Sequence, residues 1–134
     1  NEVEMNGAKV LTFAMSIVQE NVRKLLKKSN LSFNKINCFI FHQASKYILE
    51  NINRKLSIPK NKTYENYGRV GNTISASIPI VLKDASKNKI KHNNNIIIAG
   101  YGVGLSWGSA VLKWSKIKWM TTQKKYLHQM LQVN

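Results

Sequence analysis

Along the first stretch of the chain, apolar residues return at helical spacing. From Ala8 to Lys28, the residues Val10, Leu11, Ala14, Ile17, Val18, Val22, Leu25 and Leu26 predict an amphipathic helix with one buried stripe. Basic residues fill its last turn, where the helix dipole favours them. Leu31 to Asn37 is interrupted by Ser and Asn and reads as a loop, and Ile36 to Phe41 is a short apolar run suited to a buried strand. Helical spacing resumes from Ser45 to Leu56 through Ile48, Leu49, Ile52 and Leu56. Ile58-Pro59 should end that helix, because the residue before a proline is pushed out of the helical region.

Lys62 to Tyr67 reads as a short extended piece that stops at Gly68. Asn72 to Ala85 reads as a helix capped by Asn72 or Thr73, with Ile74, Ala76, Ser77, Ile80 and Val81 on its packed face. Pro79 must kink that helix or mark its first turn. After a polar linker from Lys87 to Asn95, two strands are expected at Asn95–Ala99 and Ser106–Trp114, joined by a glycine-rich turn. Helices alternating with strands in this order point to an α/β layer structure.

At 134 residues the chain suits one domain, and its apolar fraction is ordinary for a globular protein. The start Asn1-Glu2-Val3-Glu4 is acidic and lacks the basic, then apolar pattern of a signal peptide. No run approaches the roughly 20 apolar residues of a membrane span. A cytoplasmic location is expected, and the chain is read as a piece of something longer. The single cysteine, Cys38, excludes an internal disulfide and a multi-cysteine zinc site. The formal charge of +15 attracts anions. It is carried mostly by Lys spread along the chain, which supplies hydrated point charges rather than the forked donors that read nucleic acid. Weak, salt-sensitive binding is expected from it, and no specific nucleic-acid recognition.

Two short pieces carry candidate chemistry: Phe41-His42-Gln43-Ala44 and Gly71-Asn72-Thr73. Each puts a polar side chain just beyond an apolar segment. An imidazole and a carboxamide can together donate two hydrogen bonds to one oxygen. His42 should emerge at the carboxyl end of a strand, where ligands of open α/β sheets bind, although taken alone it better suits capping the next helix. Asn72 equally suits a turn or helix cap. The run Gly100-Tyr101-Gly102-Val103-Gly104 lacks the spacing of phosphate-binding loops. Its N–H groups could hold a thioester oxygen, or it is simply a tight strand connection. Cys38, inside an apolar run, reads as a packed small hydrophobe rather than a reactive thiol. His92 and His128 lie in polar, basic stretches and read as surface residues.

Taken together, three ordered motifs resemble one family. They are His42-Gln43-Ala44, the stretch from Tyr67-Gly68-Arg69-Val70-Gly71-Asn72-Thr73 to Ser77-Ile78-Pro79, and Gly102-Val103-Gly104-Leu105-Ser106-Trp107-Gly108-Ser109. The family is the β-ketoacyl-acyl-carrier-protein synthase III group of condensing enzymes, and the resemblance is to its C-terminal half. Met5-Asn6-Gly7 and the helix after it resemble the start of that half, so residues 5–114 form the expected domain and residues 115–134 an extra basic tail, disordered or a short helix. The resemblance implies an α/β fold, half of a thiolase-like one, with layered helices and a mixed sheet. It implies a triad of Cys, His and Asn, whose His is His42 and whose Asn is Asn72. The family's cysteine lies in the N-terminal half, and Cys38 does not match it.

As implied by the resemblance, the substrates are acyl-coenzyme A and malonyl-acyl-carrier protein, with no bound cofactor and no metal. The reaction is decarboxylative condensation in acyl-chain synthesis. The expected partners are an N-terminal half bearing the nucleophile, the acyl carrier protein, and a second copy of the complete enzyme as a homodimer. The backbone N–H near Val103 would serve the oxyanion hole, at a position where the fatty-acid members commonly carry Gly. Lys46 would contact the acidic carrier, or is a solvated helix residue. An isolated chain with no nucleophile should not condense anything. A degenerate partner module of the same fold is the alternative.

Overall fold

The structure, a computed structural model, describes residues 7–102 and 104–115. Helix α1 (Gly7–Lys28) buries Ala14, Val18, Val22 and Leu26, one residue per turn along a single stripe. It stops in a Schellman arrangement. The Leu31 N–H donates to the Leu26 carbonyl at 3.1 Å and the Asn30 N–H to that of Lys27 at 3.3 Å, with Asn30 left-handed at φ 53°. Helix α2 (Lys46–Lys55) begins on Ser45, whose Oγ accepts from the Ile48 N–H at 3.3 Å. It ends the same way as α1, with Ser57 at φ 52° and the Ile58 N–H donating to the Asn53 carbonyl at 2.9 Å. The turn at Ser57, rather than Pro59, therefore stops α2.

Strands β1 (Cys38–Phe41), β2 (Asn95–Gly102) and β3 (Ser106–Lys113) form one sheet in that order, β1 parallel and β3 antiparallel to β2. Alternation along β1 and β2 separates two cores. Phe39, Phe41, Ile97, Ala99 and Tyr101 pack with α1 and α2. Cys38, Ile40 and Ile96 pack with Val81 and Ala85 of helix α4 (Ser77–Asn88) on the other face. All four β1 residues are buried, as a strand covered on both faces requires. The layered helices and mixed sheet agree with the expected class.

Three expectations need correction. Lys62 to Tyr67 is not one extended piece: Lys60–Lys62 form a single 3-10 turn, Thr63 alone bridges Phe39, and Tyr67 opens the short helix α3 (Tyr67–Val70). The helix expected from Asn72 to Ala85 is a separate 3-10 turn at Ile74–Ala76 followed by α4. Ile74 and Ala76 are exposed rather than packed, and Pro79 sits in the first turn of α4, where it displaces no intrahelical donor. Most of the glycine run is strand, not turn. Gly100 pairs with Gly108 and Gly102 with Ser106, and only Gly104, at φ 119°, lies between β2 and β3.

The expected tail, and the start at Met5-Asn6, lie outside the described residues apart from Ser115. Among the described residues no helix is long and apolar enough to cross a membrane.

Candidate functional site

Strand β1 delivers His42. Its N–H donates to the Ala99 carbonyl at 2.9 Å, which carries the parallel pairing one residue past Phe41. The carboxyl ends of β1 and β2 therefore lie side by side, and the imidazole stands edge-on to the Tyr101 ring with centroids 5.4 Å apart. The ring is half-buried, and loss of water pulls its pKa below the usual histidine value. Desolvation thus favours the neutral ring over the imidazolium.

The opposite side of the ring meets α4. His42 Nδ1 and Ser77 Oγ are 2.7 Å apart, and Ser77 is only 1% exposed. The next residue, Gln43, is completely buried. Its backbone N–H donates to Ser77 Oγ at 3.4 Å, its Nε2 to the Phe41 carbonyl at 2.7 Å, and its Oε1 accepts from the Asn66 N–H at 3.0 Å. The amide side chain thus ties the end of β1 to the residue before α3, while the Gln43 backbone N–H reaches the start of α4.

Asn72 follows Gly71, whose φ of 68° is a conformation that glycine supplies without strain. Its Oδ1 accepts from the Ile74 N–H at 3.0 Å, an Asx turn that orders the 3-10 turn before α4. The side chain is exposed, and no hydrogen bond joins it to His42 among the described residues. The two are linked through the chain: Ser77, which holds His42, lies on the segment that Asn72 opens. Upstream, Asn66 Nδ2 donates to Asp84 on α4 at 2.9 Å, and Arg69 pairs with the same carboxylate. The Asn66 bond first, then the Arg69 and Lys87 charges, hold Asp84 below the ordinary carboxylate range.

The other predicted residues are placed as follows. Lys46 is exposed at the start of α2 and reaches Glu50 at 3.9 Å. Val103 lies outside the described residues, as does His128. His92 is exposed. Cys38 is 1% exposed among Ile40, Ile96 and Val81, and burial pushes its thiol up to about 11. A cleft of about 480 Å³ lies among Glu50, Asn53, Tyr64 and Glu65, and no predicted site residue lines it. Among the described residues, no three metal-ligating side chains cluster.

Ser77 and Gln43 are what sequence reasoning missed. Ser77 was expected only to pack, yet a hydroxyl on an otherwise apolar helix face is itself a signal that a polar partner waits across the interface.

Comparison with known proteins covers the same segment. The family model described as 3-oxoacyl-[acyl-carrier-protein] synthase III C terminal matches residues 26–114. The β-ketoacyl-[acyl-carrier-protein] synthase III of Clostridium tetani is 41% identical over 113 residues, which are 84% of this chain and 34% of that protein. The Pyropia yezoensis enzyme is 42% identical over 115 residues, 85% of this chain and 36% of that protein. The crystal structure of the Thermus thermophilus synthase III superposes with a TM-score of 0.83 at 32% identity, covering 87% of this chain and 37% of that one. The chain spans about a third of the length of the curated relatives it matches.

Proposed function

The chain belongs to the 3-oxoacyl-[acyl-carrier-protein] synthase III family, and on that premise we propose that it is the C-terminal catalytic half of a condensing enzyme. Its fold is the C-terminal part of a thiolase-like one. The reaction joins an acyl group, delivered by coenzyme A, to malonyl-acyl-carrier protein in cytoplasmic acyl-chain synthesis. The nucleophilic cysteine comes from an N-terminal portion, and the complete enzyme is a homodimer.

The supporting observation is how the two side chains are tied. Asn72 Oδ1 is engaged by the Ile74 N–H, and His42 Nδ1 by Ser77 Oγ. The Asn72 Nδ2 group and the His42 Nε2 position remain to face a substrate oxygen. In the proposed step, the bond from the malonyl α-carbon to its carboxylate breaks and carbon dioxide leaves. The electron pair passes into the thioester as an enolate, and His42 and Asn72 hold its oxygen. The enolate carbon then attacks the acyl-cysteine carbonyl, whose oxyanion meets the backbone N–H near Val103, and the cysteine thiolate departs. Cys38 cannot stand in as nucleophile. With its pKa at about 11, only about one thiol in ten thousand is ionised at pH 7, and it faces a core rather than solvent. Lys46 contacts the acidic carrier. Its pairing with Glu50 is solvent-exposed and weak, so exchanging it for a carrier carboxylate costs little.

The test replaces the matching third of the Clostridium tetani relative with this chain. The chimaera is expected to load acyl groups and to condense them. His42→Ala and Asn72→Ala should each cut condensation by about 100-fold or more while acyl loading persists. A folded chimaera that loads acyl groups yet never condenses would favour the degenerate partner module. The chain alone should take up no acyl group from acyl-coenzyme A, and a stoichiometric thioester on Cys38 would overturn the reading.

A further inference from the structure

We propose that Ser77 is a positioning residue: its buried hydroxyl donates to His42 Nδ1 and so fixes the imidazole as the neutral tautomer that carries its proton on Nε2. The counting of donors and acceptors leads there. Ser77 Oγ lies 2.7 Å from Nδ1 and 3.4 Å from the Gln43 backbone nitrogen, and no other hydrogen bond to it occurs among the described residues. The Gln43 N–H can only donate, so it occupies one lone pair of the hydroxyl oxygen. Ser77 is 1% exposed, so its O–H cannot turn to bulk water. The acceptor within its reach is Nδ1.

The reverse arrangement, with the proton on Nδ1, would aim two N–H groups at one oxygen and leave a buried O–H without an acceptor. An imidazolium would do the same. No carboxylate is hydrogen-bonded or ion-paired to the ring among the described residues, and its other neighbour is the face-to-edge Tyr101 ring. Desolvation, which lowers the pKa of His42, works in the same direction by disfavouring the imidazolium.

The consequence is a histidine that presents Nε2–H as a donor. This deepens, and for its catalytic meaning rests on, the reading of His42 as a group that holds a substrate oxygen. The tautomer itself can be measured without any catalysis. Long-range nitrogen–proton NMR of the ring-labelled 134-residue chain reads which nitrogen is protonated, with exposed His92 as an internal standard. In the unmodified chain, Nε2–H should exceed Nδ1–H by about tenfold or more, as expected for a buried hydrogen bond made in one form only. Ser77→Ala should lower that ratio several-fold and raise the midpoint of the His42 titration, while Ser77→Thr, which keeps a hydroxyl, should retain both.

An Nδ1–H majority in the unmodified chain overturns the proposal, whatever the variants do. So does a folded Ser77→Ala chain with an unchanged ratio and midpoint. If Ser77→Ala does not fold, the unmodified chain and Ser77→Thr decide. Failure here would leave the chimaera's condensation to be judged separately, and a chimaera that never condenses would leave the tautomer as measured.

Discussion

Replacing Gln43 with Leu keeps nearly the same volume and removes only the amide. Two partners are then stranded. The Asn66 N–H loses its acceptor at 3.0 Å in a residue only 8% exposed, and the Phe41 carbonyl loses its donor at 2.7 Å. An unpaired buried donor costs about 1–3 kcal/mol, and the carbonyl about 1 kcal/mol more. Burying Leu in place of an amide returns about 1 kcal/mol. A net loss of about 1–3 kcal/mol is expected, a large share of the 5–15 kcal/mol that holds a typical domain. Urea unfolding followed by far-ultraviolet circular dichroism measures it. With a slope of about 2 kcal/mol per molar, the midpoint should fall by about 1 M with the slope unchanged.

Gln43→Glu sharpens the same prediction. Its acid can accept from Asn66 but must stay protonated to donate to Phe41, so its folded pKa is raised. The penalty should be small below about pH 4 and grow above it. If Gln43→Leu moves the midpoint by less than about 0.2 M, the Gln43 amide is not holding Phe41 and Asn66 together.

Asp84→Ala strands Asn66 Nδ2 and should cost about 1–3 kcal/mol by the same assay. The folded pKa of Asp84 is depressed, so its contribution is present above the unfolded value of about 3.9 and is lost as pH falls through the folded value. Midpoints measured from neutral to acid pH should show a smaller acid decline in Asp84→Asn, and an unchanged decline would contradict this. Ile74 is β-branched, left-handed at φ 51° and 77% exposed. Ile74→Asn should therefore raise stability by about 1 kcal/mol, or Tm by about 3–5 °C. A lower Tm would mean that the apolar side chain is packed.

The helices and strands were legible where periodicity decided them. The stripe from Ala14 to Leu26 and the run ending at Phe41 each admit one reading. The helix stops were less so: Ser57 takes a left-handed turn that its residue type does not announce, while Pro59 nearby offers a misleading cause. Glycines at every second position look like a turn, and only pairing with Gly108 and Ser106 across the hairpin makes Gly100 and Gly102 strand residues. Of the candidate site, His42 stands out because a strand ends beside it, and Asn72 because glycine precedes it. Ser77 gave only the signal of a hydroxyl on a packed helix face, and its partner, 35 positions away, was not legible from local pattern.

What the supporting residues do to polarity also separates two kinds of chemistry at His42. A general base needs a lone pair aimed at substrate. With Nδ1 engaged by Ser77, that lone pair would have to be on Nε2, and the proton on Nδ1, crowded against a hydroxyl that already accepts from Gln43. The arrangement instead favours donation from Nε2, and Asn72 can also donate once Ile74 has taken its oxygen. Two donors and no base is a poor kit for abstracting a proton from carbon. It is sufficient for decarboxylation, because the departing carbon dioxide leaves its electron pair behind and the only new demand is for a place to put negative charge on oxygen. On the proposed reading, a malonyl thioester would therefore suit these side chains better than an acetyl thioester, whose carbon would first have to lose a proton.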